Sequence, residues 1–375
     1  RASRFVLVSS LFLSVFLWAA SFLYAPSMTM LMLTFAFSGL LVASLCESGL
    51  LSVRHINLVE SSQTRFVSLF LMGVVVLGAL GLGWIGGEKT VSAYYFKKAV
   101  DLSNVAGTPL VDIENQLIKA IQFAPADIHY VALSRVNFSK AQMIAQKEPT
   151  TDDSPQTTQE NQQMFQEALS RAIQAARAAV STNPAGYENW VQLGTIYSAL
   201  VPKPLLVEGA YENAKFAYNE ALKRNPTNPE LPLLLAQLEL NNEKPDAARS
   251  YIRNSVALKE DYADAYLMLA QLEAQSGNAK EAIASAEALA KLVPNNPGIH
   301  FELGLLKYSS EDYDGAETAF RKALELSPQY GNAKYYLGLT YQKQGRKVEA
   351  RTIFEELFAA NPDSAELKSA LEALK

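Results

Sequence analysis

The sequence predicts an all-α chain, with three transmembrane helices followed by an α-α superhelical solenoid. Three observations lead to this reading. Residues 1–87 are overwhelmingly apolar, whereas the remainder is charged and rich in Ala and Leu. Three uncharged stretches in the apolar part each reach membrane-crossing length. From about residue 187 onward the same residue types recur every 34 positions, as expected of an architecture in which each unit buries its apolar face only against its neighbours. The expected organisation is a membrane region over 1–87, divergent helical pairs with a flexible loop at 147–160 over 88–186, and a regular repeat array over 187–375.

Composition narrows the function. The 375 residues suffice for two or three domains. The net charge of -5 comes without a long basic run, which argues against nucleic acid as a partner. A lone cysteine, Cys46, excludes a disulfide framework and a cysteine metal site. The chain opens on Arg1 and runs almost directly into apolar sequence, which reads as a piece of a longer protein.

The apolar stretches are Phe5–Tyr24, Thr29–Cys46 and Phe66–Gly87. Each would cover a hydrocarbon core of ~30 Å at ~1.5 Å per residue. Trp18, Tyr24 and Trp84 lie near segment ends, where amphipathic rings favour an interface. Pro26, in the short Ala25–Met28 link, predicts a hairpin of the first two segments. Arg1 and Arg4 before an apolar run also fit a signal peptide, but two further stretches follow and favour membrane spans. In the third stretch Ala79, Gly83 and Gly87 recur four apart, a small face for helix packing, although Gly is common in membrane helices generally. Arg1, Arg4, Arg54 and Arg65 fall on one side, against Lys89, Lys97 and Lys98 on the other. The expectation is a multi-pass protein with the lipid bilayer as a partner and an extracytoplasmic solenoid.

Between the apolar part and the regular array, residues 93–102 with 112–123, and 127–146 with 161–181, read as two poorly matched helix pairs, closed by Pro125 and Pro184. Lys147–Glu160, rich in Thr, Gln, Asp and Pro, reads as a surface loop.

The array itself is regular. Ala214, Ala248, Ala282, Ala316 and Ala350 are spaced by 34, as are Leu235, Leu269, Leu303 and Leu337. The small residues Ala236, Ala270, Gly304 and Gly338 keep the same spacing. Pro226, Pro294, Pro328 and Pro362 share one register, with Glu260 in the slot between the first two. Trp190, Leu193, Gly194 and Tyr197, and later Leu337, Gly338, Tyr341, Ala350, Phe354 and Pro362, resemble the tetratricopeptide-repeat (TPR) pattern W-x2-L-G-x2-Y, then A-x3-F, A and P. Five repeats are expected, at about 187–228, 229–262, 263–296, 297–330 and 331–364, with a capping helix over Ala365–Lys375. The first repeat carries an insertion around Val201–Glu208, where Pro202 and Pro204 lengthen the turn.

No constellation of catalytic residues, cofactor ligands or metal ligands is visible. His55, His129 and His300 lie in separate segments, without partners at ligand spacing. His300 occupies the slot of the consensus Trp, which points to packing. Arg54 and His55 are the one polar pair that a membrane active site could use. The resemblance implies instead a concave groove lined by the first helix of each repeat. Its residues here include Gln237, Gln271, Phe301, Tyr308, Tyr335, Gln342 and Lys343, a polar and aromatic mixture suited to a protein or peptide partner. The carboxylate clamp of chaperone-type members needs Lys and Asn at slots that here hold Leu233, Gln237, Leu267, Gln271, Phe301, Leu305, Tyr335 and Leu339, so that specificity is not expected.

Two functions are therefore in view. One is a membrane-anchored scaffold for protein–protein interaction. The other follows from Phe22–Pro26, the Gly-rich third stretch and the run from Tyr94 to Ala99, which look like the tail of bacterial O-antigen ligases and related glycan polymerases. That resemblance implies a membrane glycosyltransferase whose catalytic Arg and His lie upstream of this sequence.

Overall fold

The computed structural model describes residues 8–17, 28–48, 62–146, 155–202 and 207–374. All regular structure among them is helical. The chain divides into two compact units, Arg1–His129 and Tyr130–Lys375.

The first unit holds α1 (residues 8–17), α2 (Met28–Glu47), α3 (Ser62–Ser103) and α4 (Leu110–Phe123). The expectation of three transmembrane helices is overturned here. Among the described residues no helix is long and apolar enough to cross a membrane. Polar Thr29, Thr34, Ser38 and Ser44 punctuate α2, which ends on Glu47. The third apolar stretch is not a separate span: α3 continues without a break through Glu88, Lys89, Lys97 and Lys98 as one helix of 42 residues. Freedom from charge over some twenty residues is a weaker property than an apolar helix of that length. The remainder of the first stretch, and the Arg54–His55 pair, lie outside the described residues.

The polar end of α3 folds back on α4 through a turn in which Gly107 takes φ 82°. Ala99, Ile113, Leu117 and Ala120 are buried. The Ser92 hydroxyl donates to the Ala120 carbonyl at 2.7 Å, and Tyr95 stacks on Phe123 at 5.7 Å. His129 packs against Phe96 at 4.8 Å, and burial pulls its imidazole below the ordinary range, so the ring is neutral at pH 7.

The second unit contains α5 (Asp127–Ala145, entered at its first residues from the first unit), α6 (Pro155–Thr182) and then five helix pairs. Residues 155–160, read from sequence as loop, are helical, and 147–154 lie outside the described residues. The pairs are α7 (Tyr187–Ser198) with α8 (Ala210–Arg224), α9 (Glu230–Asn241) with α10 (Pro245–Leu258), and α11 (Ala263–Gln275) with α12 (Ala279–Leu292). Next come α13 (Pro297–Ser309) with α14 (Tyr313–Leu326), α15 (Gly331–Lys343) with α16 (Lys347–Ala360), and the closing helix α17 (Ala365–Glu372). In the insertion of the first pair, the Val207 amide donates to the Leu200 carbonyl at 3.0 Å, which draws its two ends together.

Three local devices repeat along the array. The first closes each turn from first to second helix. Glu243, Gly277, Glu311 and Gly345, spaced by 34, are all left-handed, at φ 56°, 78°, 64° and 79°. The residue after each donates back to the first helix: Lys244 to Glu239, Asn278 to Glu273, Asp312 to Lys307 and Arg346 to Tyr341, at 2.8–2.9 Å. This six-to-one bond satisfies a terminal carbonyl and needs a left-handed residue beside it, a conformation that is costly for anything but Gly. The second device ends the second helix of each pair. Asn225, Val293, Ser327 and Asn361 take φ between -126° and -142°, as a residue before proline must. Lys259 does the same before Glu260, without a proline.

The third device sets the approach of the two helices. A Cβ added at Gly194 would lie 2.6 Å from the Tyr218 ring, at Gly304 2.5 Å from Phe320, and at Gly338 2.6 Å from Phe354. The glycines let a whole aromatic ring lie against the backbone of the first helix. In the second pair Ala236 takes the glycine slot and the slimmer Ile252 takes the aromatic one, and both are fully buried.

At the first two junctions, successive pairs are joined by ion pairs whose acidic partner is buried. Lys215 reaches the fully buried Glu239 at 2.7 Å. Arg249 reaches Glu273, 1% exposed, at 2.6 Å. Burial pushes the Glu273 carboxyl up, but hydrogen bonds from Arg249 and Asn278 outweigh it and hold the group below the ordinary carboxylate range. Between the next pairs the signs reverse, with Lys307 on the first helix and Glu287 on the second, at 2.6 Å. At the last junction Tyr341 takes the slot, between Arg321 and Glu317.

Three outcomes follow. Gly304→Ala costs about 1–3 kcal/mol in urea unfolding by overpacking, and Phe320→Leu in the same chain recovers part of the loss. Glu311→Gly, at an exposed left-handed position, raises stability by up to about 1 kcal/mol. Arg249→Leu leaves the Glu273 carboxylate buried and unpaired, at a cost of about 2–4 kcal/mol. With Arg249 in place, the carboxylate's contribution is present above the ordinary carboxylate pKa and is lost as pH falls through the depressed one, so the variant loses less stability than the parent on acidification.

Candidate peptide-binding groove

The first helices α9, α11, α13 and α15 present the residues expected of a groove. Gln237 is exposed, and its amide donates to Asn241 at 3.0 Å. Gln271 is exposed and Phe301 half-buried, and the two line one cavity. Tyr308 and Tyr335 are half-buried. Gln342 is half-buried and shares a shallow depression with Tyr335, Leu339 and Glu366. Lys343 is exposed.

Phe301, Tyr308 and Tyr335 are brought together, through a residue that sequence reasoning missed. Tyr336 lies 5.8 Å from Phe301, 6.0 Å from Tyr308 and 5.7 Å from Tyr335, edge-on to each. Phe320 and Phe354, the rings seated on Gly304 and Gly338, underpin the cluster at 5.8 Å from Phe301 and from Tyr335. Tyr336 follows directly on the groove slot of Tyr335 in the sequence, which is the signal that could have found it. Burial pushes the Tyr308 and Tyr335 hydroxyls up, reinforced at Tyr308 by Tyr313 and at Tyr335 by Glu366. Both therefore remain protonated donors at neutral pH. Gln237 stands apart from this cluster.

The cavity shared by Gln271 and Phe301 has a volume of about 240 Å³. It lies between the third and fourth pairs, with Leu267, Ala270, Ala286 and Leu289 on one side and Ile299 and Leu305 on the other. Ala274, Glu302, Leu306 and Ser309 complete the lining. Ala286 was missed as well. It stands in the slot that holds Tyr218, Ile252, Phe320 and Phe354 elsewhere, so the same 34-residue count marks it as the odd member.

The histidine in the tryptophan slot behaves as its slot demands. His300 Nε2 lies 2.8 Å from the Pro294 carbonyl, and the Trp190 indole N–H donates to the Pro184 carbonyl at 2.9 Å. A carbonyl only accepts, so the His300 Nε2 carries the proton. Among the described residues no group of His, Cys, Asp and Glu is assembled that could hold a metal ion.

Family models agree with the repeat architecture. Two family models described as tetratricopeptide repeat match the array, one over residues 205–254 and 307–374 and the other over 233–297. The human proteins "Protein O-mannosyl-transferase TMTC1" and "Protein O-mannosyl-transferase TMTC3" are each 26% identical, over 215 and 199 residues. These matches cover 56% and 52% of this chain, but only 23% and 21% of the relatives. The chain thus spans less than a quarter of the length of either. Among solved structures, YrrB, titled "a TPR protein with an unusual peptide-binding site", aligns with a TM-score of 0.43 at 18% identity, over 54% of this chain and 98% of that one. A tetratricopeptide repeat protein from Parabacteroides merdae aligns with the same TM-score and identity, over 76% of this chain and 99% of its own. The repeat period, the small-residue interlock and the family matches agree: the C-terminal half of this chain is built of tetratricopeptide repeats and belongs to that family.

Proposed function

We propose that the chain is a protein-interaction module that holds an extended peptide segment of a partner along α11, α13 and α15. Repeats of this family serve protein–protein interaction in general. The observation that carries the reading here is the surface formed by Phe301, Tyr308, Tyr335 and Tyr336. All four rings are half-buried along one helix series, and three of them carry a hydroxyl group in an otherwise apolar setting. Rigid aromatic residues with a polar tip supply large contact area at low entropic cost, as binding surfaces require. The exposed amide of Gln271 can exchange hydrogen bonds with a peptide backbone.

The alternative of a glycan ligase or polymerase draws no support. None of the similar proteins described above is an O-antigen ligase, and the transferase activity in the names of the two human relatives belongs to proteins of which this chain covers less than a quarter.

The test is capture of peptides by the full chain. Peptides selected from a displayed random library should lose at least tenfold in affinity, about 1.4 kcal/mol, when Tyr308 and Tyr335 are both replaced by Ala, with thermal melting confirming that the array stays folded. Capture that the folded double variant leaves unchanged overturns the groove reading.

A further inference from the structure

The third repeat breaks the interlock that organises the others. In the first, fourth and fifth repeats a glycine on the first helix receives an aromatic ring from the second. In the second repeat Ala236 receives Ile252. In the third both partners are small, Ala270 at 6% and Ala286 at 4% exposure. The ring that fills this slot elsewhere is absent, and the space it leaves is continuous with the cavity of about 240 Å³ lined by both alanines. A void of this kind costs stability wherever the surroundings fail to collapse into it. Here one wall is the next repeat, through Ile299, Phe301 and Leu305, whose own position is fixed by the Gly304–Phe320 interlock. Collapse is blocked, and the void opens to the face that carries Gln271 and Leu267, both exposed.

We propose that this cavity is the anchor pocket for a partner's peptide segment that presents one large apolar side chain, of the size of Leu, Met or Phe, beside a basic residue. The proposal rests on the groove reading above and gives it a specificity. The volume lies below the roughly 300–1,000 Å³ typical of small-molecule sites, which suits a single side chain entering from a longer ligand. The lining is apolar except at Gln271, Glu302 and Ser309. Its one charged group is the exposed carboxylate of Glu302, for which no ion pair is formed among the described residues. A cation flanking the anchor meets a complementary charge there, and an anion meets repulsion. Deeply seated apolar anchors within a polar rim are where binding energy concentrates.

The variant that tests this restores the neighbours' pattern. Ala286→Phe alone would drive a ring onto the Ala270 Cβ, so Ala270→Gly accompanies it and reproduces the Gly304–Phe320 pair. A random nonapeptide library is panned against the full chain, and affinities of the enriched peptides are measured by fluorescence anisotropy. The expected result is a shared Leu, Met or Phe with Lys or Arg within two positions. Binding should fall at least tenfold in A270G/A286F, which melts at or above the parent's temperature because its void is filled. Glu302→Lys, an exposed change that needs no repacking, should switch the preferred neighbour from basic to acidic. The proposal is overturned if no peptide is enriched, if the enriched peptides share no apolar anchor, if folded A270G/A286F binds within twofold of the parent, or if E302K leaves the preference intact. Loss of binding in Y308A/Y335A but not in A270G/A286F keeps the groove and removes the anchor pocket, whereas indifference to both removes both. A parent that sediments as a dimer while A270G/A286F is monomeric would assign the cavity to a second copy of this chain, and the peptide proposal would fall.

Discussion

The array depends on how closely two helices of a repeat approach, and that distance is set where an aromatic ring lies directly on a glycine. Gly194 with Tyr218, Gly304 with Phe320 and Gly338 with Phe354 leave no room for even one methyl group. Everything else is built on that spacing. The ring covers the backbone of its own repeat and underlies that repeat's groove aromatic, Phe320 beneath Phe301 and Phe354 beneath Tyr335, and Phe320 also reaches Tyr336 of the next repeat. The aromatic surface offered to a partner is thus the outer layer of the core, and its rigidity is inherited from the core. The same logic explains why the position without a ring, Ala286, has an effect that reaches the surface.

The repeats were legible in the sequence because their physics is periodic. A glycine, an alanine and a proline each at a spacing of 34 record a close approach, a packed face and a helix stop. Features that vary in identity while keeping their role were harder to read. The left-handed turn residue is Gly at 277 and 345 but Glu at 243 and 311, so composition hides a constant backbone. The buried acids Glu239 and Glu273 look like ordinary surface glutamates until the partner helix brings Lys215 and Arg249 to them. The apolar first part misled for a different reason. Absence of charge over some twenty residues was taken as sufficient for a span, yet α3 runs from apolar into charged sequence as one continuous helix.

The candidate site was half legible. The repeat register puts Phe301, Tyr308 and Tyr335 on first helices, and the structure gathers the three around Tyr336, because register determines which helix face a position occupies. Register says nothing about neighbours in space, so the hub residue Tyr336 went unseen. It also treats every slot as filled, so the cavity beside Ala286 went unseen. Gln237 and Lys343, chosen by the same rule, are both exposed.

The polar joints between repeats have a consequence for how such a chain can change over generations. Repeat arrays grow and shrink by gain or loss of whole units, and a loss is tolerated only if the new neighbours fit. The first-helix slot reads Glu239, Glu273, Lys307 and Tyr341 in successive repeats. Excision of residues 263–296 would set the second helix that carries Arg249 and Arg253 against Lys307 in place of Glu273, three cations with only the exposed Asp246 beside Arg249 to offset them. The order of the repeats is therefore written into their joints. Loss of residues 229–262 would instead bring Lys215 to Glu273, a matched pair, so the joints tie the odd third repeat, with its alanine pair, to its place more firmly than the second.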